Sequence, residues 1–324
     1  MIVDYQSHWY PPAVVEWFED RVEPPRARRG SDGWQIQFAE DVVMPAPAIF
    51  TDLTAQLMAM DAAGVDVAVV GPAVLGELAH LPAAEAVEIA NLVNREYASA
   101  RALYPERLVP LAVVPVTIPE AALEVIDHAS RLGFSGVSIV ASNDGVPIAS
   151  EATLPVYRRL DELGMPVFLH PGLRSHTRRY ESRRGEQGMA WMYQTARAAT
   201  TLVDSGTLDE CPNLTIVHPH LGGVLPYILE RVDARERSAK RPMREYLSTR
   251  FYTDCVAQTP GALPLAIATY GLDRVLFGSD FPYQTTADAR QYLAASAEPS
   301  QADAIYRNRL PGLRLPGGAT QPTT

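Results

Sequence analysis

The stretch Leu276-Phe277-Gly278-Ser279-Asp280-Phe281-Pro282 places an aspartate directly after a short apolar run that predicts a buried strand. Three other segments have the same form, with histidines after an apolar run: Val3–His8, Val167–His170 and Ile216–His220. Residues just past the carboxyl ends of barrel strands converge on one mouth, so these distant side chains would become neighbours in a (β/α)8 barrel. Their order and type predict a single metal site at one end of such a barrel.

Short apolar runs alternate with longer amphipathic stretches along the chain. The predicted strands are Ile2–Tyr5, Val65–Val70, Leu108–Val114, Gly136–Val140, Val167–Leu169, Leu214–Val217, Arg250–Thr253 and Val275–Phe277. Gly64, Gly133 and Gly164 each follow a helical pattern, where a left-handed cap ends a helix. The alternation predicts an α/β fold, the (β/α)8 TIM barrel. A doubly wound sheet is disfavoured because no glycine-rich phosphate loop follows the first strand.

The chain shows no internal boundary between domains. We therefore expect a single barrel domain over residues 1–311 and a flexible, Pro/Gly/Thr-rich tail over residues 312–324. Two segments are predicted as loop insertions: residues 10–50 after the first strand and the arginine-rich residues 171–190 after the fifth. Both leave the carboxyl ends of strands, so both would lie over the catalytic face.

Composition excludes several classes of protein. Of the 324 residues 47% are hydrophobic, which is enough for a full core and excludes global disorder. A net charge of −10 without a basic stripe argues against nucleic acid and against an anionic membrane surface as partners. Cys211 and Cys255 have no CxxC spacing, and no apolar run approaches the roughly 20 residues that a membrane span needs. No signal peptide is visible, so a cytoplasmic location is expected.

Imidazole and carboxylate together form the ligand chemistry of a catalytic divalent ion. His8, His170, His220 and Asp280 together offer imidazole nitrogens and a carboxylate oxygen, donors that suit zinc best and also manganese, iron or cobalt. Such an ion lowers the pKa of bound water or polarises a carbonyl or carboxylate. One metal ion is expected at this cluster.

The quoted segments resemble those of the amidohydrolase-related (amidohydrolase 2) family, which includes aminocarboxymuconate-semialdehyde decarboxylase and the ortho-hydroxybenzoate decarboxylases. Asp4-Tyr5-Gln6-Ser7-His8 is similar to a D-x-H-x-H start. Leu169-His170-Pro171, His220-Leu221-Gly222-Gly223-Val224-Leu225-Pro226 and the 276–282 stretch also match, the last most closely. The resemblance extends from residue 2 to about residue 310.

The resemblance implies a role for each matching residue. His8, His170 and Asp280 would bind the metal ion, and His220, with Asp280, would be the catalytic acid/base group beside it. Arg231 matches an arginine that reaches a neighbouring subunit's active site and binds substrate carboxylate there, which implies a homodimer. An ordinary solvated charge on a helix face remains the other interpretation of Arg231.

The chain departs from the family pattern at one ligand position. Gln6 stands where the family has a histidine or glutamate, and its neutral amide oxygen is a weaker donor. His218 could compensate as an extra ligand if it faces the barrel interior, two residues before His220 on one strand. The alternative for His218 is a core histidine bonded within the protein.

The substrate pocket is predicted to be aromatic. The family decarboxylase uses an arginine in the loop after the first strand, whereas this chain has no Arg or Lys between Arg29 and Arg95, so a small dicarboxylate is disfavoured. Candidate pocket residues are Trp191, Tyr193, Trp9, Tyr10 and Phe281. His176 could reach substrate from the arginine-rich segment.

Three functions follow from these residues. The first is a metal-dependent lyase that decarboxylates an aromatic or unsaturated carboxylic acid without oxidation. The second keeps the site but hydrolyses or dehydratively cyclises a substrate at a carbonyl, as in a biosynthetic pathway. The third is a metal-free barrel with a binding role, which the presence of Gln6 favours and the intact His170, His220 and Asp280 oppose.

Overall fold

The computed structural model describes residues 1–39, 42–141, 146–173, 185–235 and 238–317. Its strands, numbered in chain order, are β1 (Val3–His8), β2 (Arg26–Gly30), β3 (Gly33–Ala39), β4 (Val42–Pro47), β5 (Val67–Gly71), β6 (Leu108–Pro110), β7 (Ala112–Val113), β8 (Val137–Val140), β9 (Val167–His170), β10 (Ile216–His218), β11 (Phe251–Asp254) and β12 (Val275–Leu276). The helices of eight residues or more are Pro12–Glu19, Leu53–Ala63, Ala83–Leu103, Pro119–Arg131, Leu154–Glu162, Trp191–Asp204, Leu225–Asp233, Met243–Arg250, Ala262–Tyr270, Thr286–Ser296 and Pro299–Arg307.

Parallel strands close into a barrel. One ladder runs β1-β5-β6 and the other β12-β11-β10-β9-β8-β7. β6 and β7 form one extended run that is interrupted at Leu111. The Leu111 amide still donates a hydrogen bond to Val70 O on the neighbouring β5. The ring closes where Tyr5 N donates to Phe277 O at 2.8 Å and His8 N to Phe281 O at 2.7 Å. The predicted (β/α)8 barrel is confirmed.

Side chains alternate between the barrel interior and the helix layer, as the period of a strand requires. The interior cluster contains Val3, Tyr5, Val67, Val69, Val109, Leu111, Phe168, Val217, Tyr252 and Leu276. Because Val217 belongs to this cluster, its neighbour His218 points the other way, toward the helices. Ile216, on the same side as His218, packs in the helix-layer core.

Residues 10–50 are more ordered than the long loop that we expected from the sequence. They contain the helix Pro12–Glu19 and an antiparallel sheet in the order β2-β3-β4. In β3 the buried Trp34, Ile36 and Phe38 alternate with more exposed glutamines, which is the pattern of a half-buried strand. Of the expected insertion at residues 171–190, residues 174–184 lie outside the described part of the chain.

The expected tail from residue 312 is packed where it is described. Leu310 and Leu313 join the interior cluster, and Arg314 N donates to Ser135 Oγ at 3.0 Å. This contact lies before the start of β8, at the amino-terminal end of the barrel. Residues 318–324 are outside the described chain. None of the described helices has the length and apolar composition needed to cross a membrane.

Candidate metal centre and active site

Three side chains from the ends of β1, β9 and β12 meet at the carboxyl-terminal mouth of the barrel. His8, His170 and Asp280 each offer one ligand atom, and these atoms all lie within 4.8 Å of one another. His8 Nε2 is 3.0 Å from Asp280 Oδ1. All three residues are less than 10% exposed. The strand order, not proximity in sequence, brings together residues that are 272 positions apart.

Backbone carbonyls orient both imidazoles. His8 Nδ1 lies 3.2 Å from Gly71 O, and His170 Nδ1 lies 2.7 Å from Pro171 O. A carbonyl only accepts hydrogen bonds, so each Nδ1 carries the proton and each Nε2 keeps its lone pair. Burial and the nearby His8 lower the pKa of His170 to about 3, which keeps that ring neutral.

This arrangement fits a divalent cation. With its proton on Nδ1, His8 presents a lone pair from Nε2 to a carboxylate oxygen 3.0 Å away. Two acceptors facing one another at that distance repel unless a positive charge lies between them. Two imidazole nitrogens and one carboxylate form a donor set typical of catalytic divalent metals. The described residues therefore fit the ion that the sequence predicts.

Asp280 is held in a left-handed backbone conformation, with φ of 62°. Its amide donates to Gln6 O at 2.7 Å, which ties it to β1. Burial acts to raise the pKa of Asp280, but the neighbouring imidazoles of His8, His220 and His170 bring it below its usual range. The carboxylate is therefore ionised when it faces the imidazoles.

A buried carboxylate beneath the site connects β1 to the turn before Asp280. Asp4 accepts hydrogen bonds from Gln6 N at 3.1 Å, Ser279 N at 3.0 Å and Ser279 Oγ at 2.5 Å. Burial raises the pKa of Asp4 to about 6. Asp4 belongs to the first motif, but no role for it could be predicted from the sequence. Its role is to fix the relative positions of the ligand-bearing segments.

His220 lies in a turn that is left-handed at four successive residues, His220 to Gly223. A Cβ on Gly222 would stand 2.2 Å from Tyr270 Oη, and one on Gly223 would stand 2.4 Å from Met192 O. Only glycine fits either position. The left-handed conformation costs of order 1–3 kcal/mol at a non-glycine residue such as His220 or Leu221. Such strain is retained where the surrounding structure enforces it.

The His220 ring faces the metal ligands. Its Nε2 is 3.9 Å from Asp280 Oδ2, and its amide donates to Asp254 Oδ1 at 2.9 Å. Nδ1 has no hydrogen-bond partner among the described residues. Burial lowers the pKa of His220, an effect that Asp280 opposes. A largely neutral imidazole therefore lies beside an ionised carboxylate, which is an arrangement suited to proton transfer.

Asp254, at the end of β11, is a supporting residue that the sequence did not reveal. It is fully buried, and its Oδ1 accepts from the amides of both His220 and Val256 at 2.9 Å. Burial raises the pKa of Asp254 to about 8. One carboxyl oxygen thus holds the start of the strained turn.

His220 and Asp280 open into a cavity of about 710 Å³. Its lining consists of Gly188, Trp191, Met192, His220, Leu221, Gly223, Pro226, Tyr227, Val256, Ala257, Gln258, Thr259, Ala262, Leu265, Asp280, Tyr283 and Gln284. None of these described lining residues is Arg or Lys. The walls are therefore aromatic, aliphatic and amide in character.

Of the aromatic residues predicted to line the pocket, Trp191 does so. The other four are not among the lining residues: Trp9, Tyr10 and Phe281 are buried, and Tyr193 is half-exposed. Tyr283, which was not predicted from the sequence, lines the cavity with its ring centroid 6.5 Å from that of Trp191. Its signal in the sequence was its position next to Phe281-Pro282.

The remaining predicted site residues have different positions. Gln6 is buried at the end of β1 and its Nε2 has no partner among the described residues. His218 is not a neighbour of the ligand set: it faces the helix layer, where its Nδ1 is 2.9 Å from Tyr270 Oη. This corrects the expectation that it shares the interior with His220.

Arg231 is exposed and lines a second cavity, away from His220. His176 lies outside the described residues.

Residues 3–307 match the model of the family described as Amidohydrolase (Amidohydro_2). The chain belongs to this family. Membership confirms the resemblance seen in the sequence. The mouth formed by His8, His170, His220 and Asp280 lies at the carboxyl-terminal face of the barrel, where the active sites of TIM-barrel enzymes are found.

Characterised relatives are decarboxylases. The chain is 32% identical to gamma-resorcylate decarboxylase of Rhizobium sp. (strain MTP-10005) over 254 residues, which are 71% of this chain and 76% of that protein. It is 26% identical to 6-methylsalicylic acid decarboxylase of Penicillium expansum over 296 residues, covering 86% of this chain and 84% of that protein.

A solved structure has the same fold. Dihydroxybenzoic acid decarboxylase of Polaromonas sp. JS666, with bound manganese and the inhibitor 2-nitroresorcinol, superposes with a TM-score of 0.77 at 21% identity. The match covers 94% of each chain. At this identity the likeness establishes the barrel and leaves the chemistry to the site residues.

Proposed function

We propose that this protein is a metal-dependent, non-oxidative decarboxylase of an aromatic carboxylic acid. The observation that carries the proposal is the convergence of His8, His170 and Asp280, with His220 Nε2 3.9 Å from Asp280 Oδ2 at the wall of an aromatic cavity. The relatives act as decarboxylases, so this interpretation fits better than hydrolysis, cyclisation or a metal-free binding role.

His8, His170 and Asp280 would hold one divalent ion, with Gln6 as a weak fourth donor through its amide oxygen. When bound, the ion withdraws electron density from the substrate's carboxylate and a neighbouring oxygen. On two imidazoles and one carboxylate we expect zinc, whereas the Polaromonas neighbour contains manganese. We therefore propose a divalent ion of this group, to be identified by loading each metal separately.

The side chains around the cavity would bind the substrate and protonate it. Trp191 and Tyr283 line the cavity that would take the substrate ring. The reaction replaces the ring carbon's carboxylate by a proton and releases carbon dioxide. His220 and Asp280, the histidine and the carboxylate of the lining, would transfer to that carbon a proton taken from a substrate hydroxyl or from solvent.

A second chain could complete the site. We propose a homodimer in which Arg231 reaches toward the neighbour's cavity, because Arg231 is exposed and the described lining of the cavity has no Arg or Lys of its own. A guanidinium suits bidentate carboxylate binding better than other side chains. Light scattering should give a dimer mass at micromolar concentration, and Arg231→Ala should raise KM more than it lowers kcat. A monomeric, active protein would contradict this arrangement.

The activity can be tested with named acids. Protein loaded with zinc or with manganese is incubated with 2,6-dihydroxybenzoate, 6-methylsalicylic acid and 5-carboxyvanillate, the acids named for its relatives and structural neighbours. Carbon dioxide and the decarboxylated phenol are then measured. We expect metal-dependent release from at least one acid, lost on chelation and unaffected by His128→Gln on a distant helix. No release from any acid by fully metal-loaded protein would contradict the proposal.

A further inference from the structure

A buried tyrosine–histidine pair lies directly behind the catalytic turn. Tyr270, the last residue of the helix Ala262–Tyr270, is 1% exposed, and His218, at the end of β10, is fully buried. Tyr270 Oη is 2.9 Å from His218 Nδ1. The other ring nitrogen of His218 has no partner among the described residues. The tyrosine hydroxyl therefore supplies the polar contact that this buried imidazole makes.

The same hydroxyl lies against the turn that carries His220. A Cβ on Gly222 would stand 2.2 Å from Tyr270 Oη and 2.9 Å from the carbon that bears it. On the other side of the turn, a Cβ on Gly223 would meet Met192 O at 2.4 Å. The turn is thus enclosed between the helices Trp191–Asp204 and Ala262–Tyr270. Backbone forms one wall, and the tip of a single tyrosine forms the other.

We propose that Tyr270 is a positioning residue for His220, and that His218 fixes the Tyr270 hydroxyl against the turn. The effect of Tyr270 on the turn does not depend on which reaction the protein catalyses. The effect of Tyr270 on catalysis rests on the proposed function. His218 then has a role in the site without being a metal ligand.

The left-handed residues of the turn give this contact its importance. His220 and Leu221 hold a backbone conformation that persists only when neighbouring atoms leave no alternative. A buried hydroxyl keeps to its hydrogen-bond partner, so His218 prevents the Tyr270 ring tip from moving aside. Without the hydroxyl, a gap opens next to Gly222 and the turn can relax. The His220 imidazole, two residues away, would then lose its alignment with Asp280, and small misplacements of this kind cost up to about 10²-fold in rate.

The test compares two conservative variants, Tyr270→Phe and Tyr157→Phe. Tyr157 is also fully buried with its hydroxyl bonded, to Ile148 O at 2.8 Å, but lies on the distant helix Leu154–Glu162. Hydrogen–deuterium exchange is measured by mass spectrometry on peptides covering residues 217–227. We expect exchange there to be about tenfold faster in Tyr270→Phe and unchanged in Tyr157→Phe, a local opening of the kind that exchange detects. Unchanged exchange in Tyr270→Phe overturns the proposal whatever the activity is.

Kinetics and a double variant complete the test. With any acid that the wild type decarboxylates, Tyr270→Phe should lower kcat about tenfold, with KM within about twofold and metal content intact, since alignment and not binding is lost. His218→Phe should act in the same direction, and the double variant should be no worse than Tyr270→Phe alone, because the two residues act through one contact. Fully additive effects, or a fall in thermal stability with kcat unchanged, overturn the positioning role. If the wild type decarboxylates no acid, the proposed function fails while the exchange result still decides this inference.

Discussion

His220 Nε2 lies 3.9 Å from Asp280 Oδ2, although the two residues leave different strands and each sits in a left-handed backbone conformation. Asp280 also contacts His8 through its other oxygen. One carboxylate therefore connects the predicted metal ligands to the predicted acid/base group. Substitutions on the two sides of Asp280 should separate metal binding from proton transfer.

Loss of His170 should remove metal and activity together. His170 contributes one of three donors, and a divalent ion held by the remaining two is bound far more weakly. We expect His170→Ala to contain well under half an equivalent of metal by elemental analysis after metal-supplemented expression. His128→Ala, on the helix Pro119–Arg131, serves as the matched control and should retain the wild-type content. Full metal occupancy in His170→Ala would contradict the ligand assignment.

Loss of His220 should leave metal in place and slow the reaction. Its ring faces Asp280 at 3.9 Å and lines the cavity, so it touches the space where substrate would lie. General acid–base and electrostatic roles contribute about 10²–10⁴-fold in rate. His220→Ala should lower kcat by that range with metal content unchanged. Wild-type turnover in this variant would assign proton transfer elsewhere.

Gln6→His should tighten metal binding, because imidazole is a stronger donor than an amide oxygen. We expect affinity to rise at least about tenfold in competition with a chromophoric chelator, since even changes in the residues that hydrogen-bond to metal ligands shift affinity by about 10–100-fold. Gln35→His, at an exposed position of β3, is the control. Equal affinity and equal turnover in Gln6→His and wild type would show that residue 6 does not contact the ion.

The two glycines Gly223 and Gly261 should respond oppositely to alanine. A Cβ on Gly223 would approach Met192 O to 2.4 Å with φ at 59°, whereas nothing lies within 4 Å of one on Gly261. Strain and overpacking together should cost Gly223→Ala more than about 3 kcal/mol of unfolding free energy. Gly261→Ala should be neutral or gain up to about 1 kcal/mol. Urea denaturation measures the unfolding free energy of both variants. Similar midpoints for the two would contradict the close packing around the turn.

Asp254 should make stability depend on pH. Burial raises its pKa to about 8, above the unfolded value of about 3.9, so the folded state keeps a proton that the unfolded state releases. This contribution is full below about pH 4 and is lost as the pH rises toward about 8. Asp254→Asn keeps an oxygen for the amides of His220 and Val256 but cannot ionise.

In metal-free protein, the unfolding free energy of the wild type should therefore fall more steeply between about pH 5 and 8 than that of Asp254→Asn. Denaturant titrations at several pH values measure the difference. Parallel curves for the two proteins would show that Asp254 is ionised in the folded state.

The strands were predictable because parallel barrel strands are buried on both faces and appear as apolar runs. Each of the eight predicted runs corresponds to a strand position of the barrel. The placement of His8, His170, His220 and Asp280 at one mouth could be predicted because each stands at or after the end of such a run. The sheet β2-β3-β4 was missed because Pro, Arg and Gly obscure its short alternating pattern. Each barrel strand can be recognised from its own apolar residues, whereas the structure of residues 10–50 depends on the parts of the chain against which they pack.

The orientation of His218 shows where counting residues fails. Alternation holds only within a strand, and β10 ends at His218. Pro219 and the left-handed His220 follow, so the parity of inward and outward side chains is not carried across them. Counting back from His220 assigned His218 to the interior, whereas Val217 occupies that side. The cavity lining was unpredictable for a related reason: it combines short pieces of loops whose paths are set by tertiary packing.

The packed residues at the end of the described chain decide how the protein can be attached to a support. Leu313 and Arg314 lie beside Ser135 and Gly136, at the opposite end of the barrel from His220. A resin, electrode or affinity tag joined beyond residue 317 would therefore leave the mouth facing solution. An attachment at the helix Leu225–Asp233, next to the catalytic turn, would place the support at the entrance of the cavity and restrict the arrival of substrate.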